Sequence, residues 1–489
     1  MRDFVAAPAW GIDDLGVPLP DSPHACSVCL PTWNSVVGYE EGRDKVMGRL
    51  RAGYPRFFRN SWVARLTAMA AAEIGGEGES VWLFPTKGGA NRAQRWIEKR
   101  WGGAVRSAGY EGFHAVVVPS AAAPLAKDYQ RFTGELISSR LAEDWLGGGV
   151  KSGSKEHLLK RRLAGIYGTK AEMVTVFGSG MSAITAVMRA LPGVAAGKKT
   201  LQLEFPYVDA LKVQEHFGNG VVFLNACEGE SFDVALQRIR SGEFAAVFTE
   251  VPSNPLLRCA DIPAVAEACE KGGTPLVIDD SSAGPFNVRA LAFADVVTCS
   301  LTKWLSGEGD VMGGMAVVKE DSAFAGDFLP ALACEAAETA PLYVGDAQVL
   351  LANLKGFPAR MTRPNDSGSR LAAFLADHPA VAEVWHPSLT NIQRYRDIMA
   401  PGCGFGGLLS FTMRHPKKVA KVFDALKLSK GPSFGTPFTL VCPYLMLAHY
   451  HERDWAAGCG VPAELLRVSC GQEDYGLIEA AFADALQSG

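Results

Sequence analysis

The middle of the chain alternates short, mostly apolar runs with longer stretches in which apolar residues recur every three or four positions. The runs at residues 244–248, 275–278 and 294–299 have the length of buried strands, and residues 184–191 have helical spacing. Buried strands separated by helical stretches are typical of parallel β-α-β units. Residues 166–342 are therefore predicted to form a large α/β domain with a mostly parallel sheet flanked by helices.

The two ends of the chain are predicted to form separate parts. Beyond a linker helix at about residues 343–354, residues 343–489 are predicted to form a smaller α/β domain. Its expected elements are a helix at 369–377, strands at 381–385 and 407–413, and a helix at 417–428. Residues 1–165 begin with several prolines and have the weakest pattern, so they are predicted to form an N-terminal arm and extension with helices at 39–51 and 64–72.

The clearest candidate for chemistry is Lys303, which follows a short β-branched strand. A lysine held in a desolvated site has a lowered pKa, and a neutral amine can form a Schiff base. Ser300 and Thr302 alternate at the strand end, so we expect both hydroxyls to point the same way and to suit an anionic group such as a phosphate. Taken alone, these three residues also fit an exposed lysine with two hydroxyls in a polar turn.

Three further segments place polar groups at strand ends. Asp279 ends the run at 275–278, and ligands of open parallel α/β sheets bind at the carboxyl ends of strands. The Gly-Ser-Gly turn at 178–180 opens a helix, whose free N–H groups and positive dipole end form a phosphate site. Asn254 lies in a proline-locked turn after the run at 244–248. Each segment taken singly also fits turn chemistry or packing.

The order of these segments (glycine turn, E-x-P-x-N-P, strand Asp, S-x-T-K) resembles that of the Cys/Met-metabolism enzymes of the fold-type I pyridoxal phosphate class. The resemblance runs from about residue 54 to residue 473. Within the family, the chain is most similar to the fungal-type cystathionine γ-synthases, through residues 24–33, 38–42, 53–58, 306–314, 430–440 and 466–474. The resemblance implies the fold-type I transferase fold, with a mostly parallel seven-stranded sheet and a smaller C-terminal domain.

Pyridoxal 5'-phosphate is the cofactor that the resemblance implies. Lys303 would carry it and act as the base, Asp279 would pair with its ring nitrogen, and Tyr207 would stack on its ring and assist proton transfer. The substrate carboxylate would bind a guanidinium, a role that falls on Arg467. The remaining implied contacts are Gly180, Met181, Ser300, Thr302 and Asn254 for the cofactor, and Ser433 and Asn254 for the substrate.

The N-terminal arm carries one assignment that the sequence leaves open. In the family, a tyrosine and an arginine of this arm reach the phosphate of the neighbouring subunit. Tyr54 and Arg56 have the right residue types, but they lie much farther upstream of Gly180 than in most members, so the chain carries an insertion. The resemblance also implies a homo-oligomer, a dimer or a dimer of dimers, with active sites between subunits.

The implied reaction is a γ-substitution that joins L-cysteine to an O-activated L-homoserine, usually the O-acetyl ester in fungal-type members, to give L-cystathionine. Three alternatives remain open: a γ-substitution enzyme of secondary metabolism with a carbon or amine nucleophile, a cystathionine lyase, and a non-catalytic paralogue. Asp280, Ser281 and Trp304 stand where many members have Asn, Thr and Tyr, which leaves the choice of substrate open.

The composition limits which classes of partner and which cellular compartment are expected. A formal net charge of −4 and a pI near 6.2 argue against nucleic acid or an anionic membrane as the main partner. No apolar run approaches the ~18–20 residues of a membrane helix, and the N-terminus is typical of neither a secretory signal nor a transit peptide. Eleven scattered cysteines predict reduced thiols in a cytoplasmic protein. The lone pair Cys26 and Cys29 fits a half-buried strand better than zinc, so no metal is expected.

Overall fold

The computed structural model describes residues 2–192 and 196–488, and its strands form three β-sheets. The first sheet lies in the N-terminal part of the chain and is antiparallel, with the order β1-β3-β2. Its strands are β1 (Glu79–Phe84), β2 (Arg106–Tyr110) and β3 (Phe113–Pro119). This sheet was not predicted from the sequence, in which β2 is short and mostly exposed and carries no apolar run.

The central sheet has seven strands in the order β4-β10-β9-β8-β7-β5-β6. They are β4 (Val174–Phe177), β5 (Thr200–Leu203), β6 (Val221–Leu224), β7 (Val247–Glu250), β8 (Leu276–Asp279), β9 (Val296–Ser300) and β10 (Gly314–Val318). Strands β5 to β9 are parallel, whereas β10 runs antiparallel to both of its neighbours. The predicted mostly parallel, seven-stranded sheet is therefore confirmed.

A third sheet of five strands, in the order β11-β12-β15-β14-β13, lies in the C-terminal part of the chain. Its strands are β11 (Val381–Trp385), β12 (Leu408–Met413), β13 (Ser429–Lys430), β14 (Leu440–Pro443) and β15 (Leu466–Ser469). All pairs are antiparallel except β13 with β14. One face packs against the helices Phe357–Asp377 and Tyr475–Ser488 through buried residues such as Phe411 and Phe482.

Helices surround the three sheets. Their bounds are Trp33–Glu40, Asp44–Met47, Ser61–Ile74, Lys87–Trp101, Ala123–Thr133, Ser139–Leu146, Glu156–Tyr167, Gly180–Ala190, Val208–Phe217, Gly229–Arg240, Ile262–Gly272, Ala325–Glu338, Val344–Asn353, Phe357–Asp377, Ile392–Ile398, Val419–Ala425, Tyr444–Ala448, Arg453–Gly458 and Tyr475–Ser488. In residues 2–192 and 196–488, none of the helices combines the length and the apolar character that crossing a bilayer requires.

Two of the predicted helices differ from the structure. The helix expected at 39–51 is wrong: Trp33–Glu40 ends before Gly42, whose φ of 67° is left-handed, and a separate short helix follows at Asp44–Met47. The helix expected at 369–377 is the second half of Phe357–Asp377, whose first half was hidden by a proline within it.

A hairpin inside the central sheet brings two parts of the chain together. The antiparallel strand β10 returns between β9 and β4, so the carboxyl ends of β4 and β9 lie at the same sheet edge. A Cβ on Gly314, at the start of β10, would lie 2.1 Å from the carbonyl oxygen of Ser179. Only glycine permits this approach, which sets the segment after β9 against the start of the helix Gly180–Ala190.

Candidate active site

A cavity of about 140 Å³ lies at the carboxyl ends of the central strands and is closed on one side by the C-terminal part of the chain. It brings together all of the predicted site residues except Thr302. Those that line it are Gly180, Met181, Tyr207, Asn254, Asp279, Ser300, Lys303, Ser433 and Arg467.

Lys303 is buried in the wall of this cavity, in a short irregular turn after β9. Its Nζ donates a hydrogen bond to the Ser433 hydroxyl at 2.8 Å and lies 4.5 Å from the ring centroid of Tyr54 and 4.8 Å from that of Phe434. Burial, together with the positive charge of Arg467, lowers the pKa of Lys303 to about 7. A large fraction of the amine is therefore neutral at neutral pH.

Asp279, which is half-buried, and Asp280, which is fully buried, are adjacent carboxyl groups that face different surroundings. Asp279 lines the cavity and accepts hydrogen bonds from the Thr298 hydroxyl at 2.7 Å and the Ser281 N–H at 2.9 Å. Asp280 instead accepts bonds from the Tyr167 hydroxyl at 2.8 and 3.0 Å. Burial raises the pKa of both. Within the described residues Asp279 has no cationic partner, so its carboxyl suits a cationic ring nitrogen.

The start of the helix Gly180–Ala190 forms another wall. A Cβ on Gly180 would lie 3.0 Å from the Cβ of Ser300, so a glycine here lets the helix start and the end of β9 approach closely. Ser300 lines the cavity, as predicted. Thr302 does not, because its hydroxyl accepts a hydrogen bond from the Gly313 N–H at 3.1 Å behind the wall. The helix start and Ser300 therefore offer an anion site.

Tyr54 and Arg56, which the sequence left open, lie in the cavity of their own chain. The buried Arg56 guanidinium donates hydrogen bonds to the Tyr207 hydroxyl and to the Asp209 carboxylate. Arg131 binds the other oxygen of Asp209 at 3.0 Å. These contacts fix the phenol of Tyr207 from the side of the N-terminal arm.

The C-terminal sheet contributes Arg467, a buried residue of β15. Its Nη1 donates to the Asn254 Oδ1 at 3.1 Å, and its Nη2 donates to the Ser433 carbonyl oxygen at 2.9 Å. Ser433 has a φ of 101°, an unusual value for a residue with a side chain. A planar guanidinium oriented in this way suits a substrate carboxylate.

Sequence reasoning did not select Glu250, although it is the first residue of the E-x-P-x-N-P segment and ends β7. The side chain lines the cavity, and its Oε1 accepts a hydrogen bond from the Tyr207 N–H at 2.7 Å. Burial and the neighbouring Asp279 raise its pKa. Its position at the end of a strand, like that of Asp279, could have identified Glu250 as a site residue from the sequence.

Trp304, a departure from the family pattern, has a structural place next to the lysine. It is buried, its Nε1 donates to the Ser282 carbonyl oxygen at 2.9 Å, and its ring packs near Phe434. It is not among the residues that line the cavity. The substitution therefore changes the support of Lys303 and not the surface that a substrate meets.

A buried lysine of lowered pKa, a carboxyl without a cationic partner and a helix N-terminus in one cavity define a pyridoxal phosphate site of the fold-type I class. The sequence model of the family "Cys/Met metabolism PLP-dependent enzyme" matches residues 153–487, and the chain belongs to this family.

Relatives and solved structures agree with that membership. The chain is 29% identical to the cystathionine gamma-synthase of Neurospora crassa, over 97% of this chain and 98% of the relative. It is 32% identical to the L-2-amino-4-chloropent-4-enoate dechlorinase/desaturase of Streptantibioticus cattleyicolor, over 96% of this chain and 97% of the relative. A crystal structure of cystathionine gamma synthase from Xanthomonas oryzae pv. oryzae, in complex with aminoacrylate and cysteine, is similar with a TM-score of 0.61. It is 25% identical and covers 69% of this chain and 86% of its own.

The cofactor of this family is pyridoxal 5'-phosphate, and the residues of the cavity fit it. Lys303 would hold its aldehyde carbon and Asp279 its ring nitrogen, while the helix start at Gly180, with Ser300, would hold the phosphate. When bound, the cofactor withdraws electrons from the substrate Cα. Lys303 would then be available as the base and Arg467 as the site for the substrate carboxylate.

Proposed function

We propose that the enzyme catalyses γ-substitution on O-acetyl-L-homoserine with L-cysteine as the nucleophile, giving L-cystathionine and acetate. The observation that carries the proposal is the link between Lys303 and Arg467 through Ser433. The Ser433 hydroxyl accepts from the Lys303 amine, and its carbonyl oxygen accepts from the Arg467 guanidinium. An amino acid whose carboxylate binds Arg467 therefore has its Cα next to the amine of Lys303.

The residues of the cavity divide the work of such a reaction. Lys303 takes the Cα proton, because its lowered pKa leaves the amine neutral. Arg467 holds the carboxylate and so fixes the orientation of the substrate chain. Expulsion of acetate from Cγ requires removal of a second proton, from Cβ. Lys303 could take this proton once it had returned the first one to the cofactor-bound substrate and become neutral again. The cysteine thiolate then adds at Cγ.

A second candidate is γ-substitution with a carbon or amine nucleophile in secondary metabolism. The Streptantibioticus relative shows that proteins of about this similarity need not make cystathionine, since its name describes a dechlorinase/desaturase acting on a chlorinated amino acid. That name describes loss of chloride without addition of a nucleophile, so it leaves the chemistry at Cγ open and favours no particular nucleophile. The Neurospora and Xanthomonas relatives, both cystathionine γ-synthases by name, support the first candidate.

A product assay separates the two candidates. The cofactor-loaded enzyme is incubated with O-acetyl-L-homoserine, with and without L-cysteine, and the products are identified by mass spectrometry. We expect cystathionine only when cysteine is present. Release of 2-oxobutanoate at an unchanged rate with cysteine present would overturn cysteine as the nucleophile and favour the second candidate.

The pKa of Lys303 predicts how cofactor capture depends on pH. Only the neutral amine reacts with an aldehyde, and the pKa of Lys303 is lowered to about 7. We therefore expect the rate at which cofactor-free protein captures pyridoxal phosphate to rise through pH 7 and level off above pH 8. Absorbance of the bound cofactor measures the rate. A midpoint near pH 10, the range of an exposed lysine, would contradict the burial of this amine.

The assembly and the compartment are also part of the proposal. A homo-oligomer, a dimer or a dimer of dimers with active sites between subunits, follows from the resemblance to the family, and native mass spectrometry of the same preparation measures it. A cytoplasmic location is supported by the eleven cysteines, which are all free thiols.

A further inference from the structure

A second cavity, of about 280 Å³, adjoins the one that contains Lys303. Arg56 and Phe57 line both cavities, so this part of the N-terminal arm is the wall between them. We call the second space the outer cavity. Trp82 of β1 and Leu136 form part of its far side. Both precede residue 153, where the match to the family begins, so this side is built by the insertion.

Arg59 is an exposed residue in the lining of the outer cavity. Its guanidinium lies over the indole of Trp82, 4.8 Å from the ring centroid, which fixes its position. Across residues 2–192 and 196–488, the side chain forms neither a hydrogen bond nor an ion pair. Lys127, the other exposed cation of the lining, likewise has no ion pair within these residues.

The other charged groups at this cavity are already paired. Arg56 binds Asp209. The two carboxylates in the lining, Asp310 and Asp346, both bind Arg140, at 3.3 and 3.1 Å. The donor groups of Arg59 and the ammonium of Lys127 are therefore the charges that remain for a ligand, and both are positive.

We propose that the outer cavity binds the second substrate and that Arg59, assisted by Lys127, holds its carboxylate. This inference rests on the proposed function, in which two amino acids meet. The carboxylate of the first has its own guanidinium in Arg467, so the second needs a cation outside the lysine cavity. A carboxylate matches the guanidinium fork of Arg59, and the outer cavity adjoins the cavity of Lys303 at Arg56 and Phe57, so the nucleophilic end of the same molecule has only this wall between it and the first substrate.

Steady-state kinetics of the loaded enzyme test the role of Arg59. A hydrogen bond to a charged group is worth ~1.5–3 kcal/mol, equivalent to roughly tenfold or more in affinity. We expect Arg59→Gln to raise the KM for cysteine at least tenfold more than the KM for O-acetyl-L-homoserine, with Arg59→Lys in between. Arg65→Gln is the matched control, since Arg65 is exposed on the next helix and does not line the cavity. Equal shifts in both KM values would overturn the inference.

A binding measurement separates this inference from the identity of the nucleophile. The probe is 3-(methylthio)propionate, which carries a carboxylate but neither an amine nor a thiol, so it cannot react. Calorimetric titration of the loaded enzyme is expected to show saturable binding that weakens at least tenfold in Arg59→Gln. If cystathionine does not form but this loss of binding is seen, the assignment of the outer cavity is supported and the nucleophile is a different compound that carries a carboxylate. Equal binding to both proteins, or no binding to either, would overturn the inference.

Discussion

Lys303→Ala is expected to lower turnover by more than about 10³-fold and to abolish the absorbance of the bound cofactor. The reason is that one amine both holds the cofactor aldehyde and takes the substrate proton. Its neighbours, Ser433 and the rings of Tyr54 and Phe434, offer no second base. Product formation and the absorbance spectrum are measured on the same preparation.

The control for this experiment is a lysine of the same hairpin. Lys319 follows β10, is partly exposed and pairs with Asp321 at 3.5 Å, so Lys319→Ala is expected to keep both activity and absorbance. Near-normal turnover of Lys303→Ala would refute the assignment of the active site.

Burial alone does not identify a reactive lysine. Lys430 is fully buried, yet its Nζ donates to the carbonyl oxygens of Pro31 and Asp424, and it does not line the active-site cavity.

Asp279→Asn is expected to reduce kcat by about 10²- to 10³-fold while the cofactor stays bound. The amide keeps the shape, and its oxygen still accepts from the Ser281 N–H, while the Thr298 hydroxyl can turn to accept from the amide N–H. It removes the negative charge that keeps the ring nitrogen protonated, so electrons flow less readily away from the substrate Cα. Stopped-flow absorbance and steady-state turnover together distinguish loss of rate from loss of cofactor.

Asp280→Asn is the matched control, because the same change is made one residue farther along the chain. Asp280 is fully buried, whereas Asp279 is half-buried, and Asp280 binds the Tyr167 hydroxyl and does not line the cavity. We expect the activity of Asp280→Asn to remain within a few-fold of wild type, since an amide oxygen still accepts a hydrogen bond from the Tyr167 hydroxyl. Similar losses in both variants would mean that the two carboxyls act through folding and that Asp279 has no special role.

Much of the central sheet could be predicted from the sequence, because several of its strands are short and mostly apolar, and β8 and β9 end at the polar residues Asp279 and Ser300. Asp279 and the nearby Lys303 were selected as candidates in this way. The N-terminal sheet was not predicted, since β2 is largely exposed and pairs only with β3. Strand order is set by long-range pairing, which local periodicity does not encode.

Side-chain direction was harder to predict than position. Ser300 and Thr302 were expected to point the same way, but the turn after β9 is irregular, and Lys303 has backbone angles that are neither helical nor extended. The Thr302 hydroxyl consequently meets the Gly313 N–H. Arg59 was not among the site residues predicted from the sequence. Its place over Trp82 depends on a sheet that the sequence did not reveal.

The hairpin that carries Lys303 has a consequence for motion. The segment between β9 and β10 is tied at both ends to interior strands of the central sheet, so releasing it requires two ladders to open at once. Segments of this kind open only in the rarest fluctuations of a protein. We therefore expect the amine of Lys303 to stay in place and any movement that admits substrates to occur in the opposite wall, where residues 54–57 and 432–434 enter the cavity from loops.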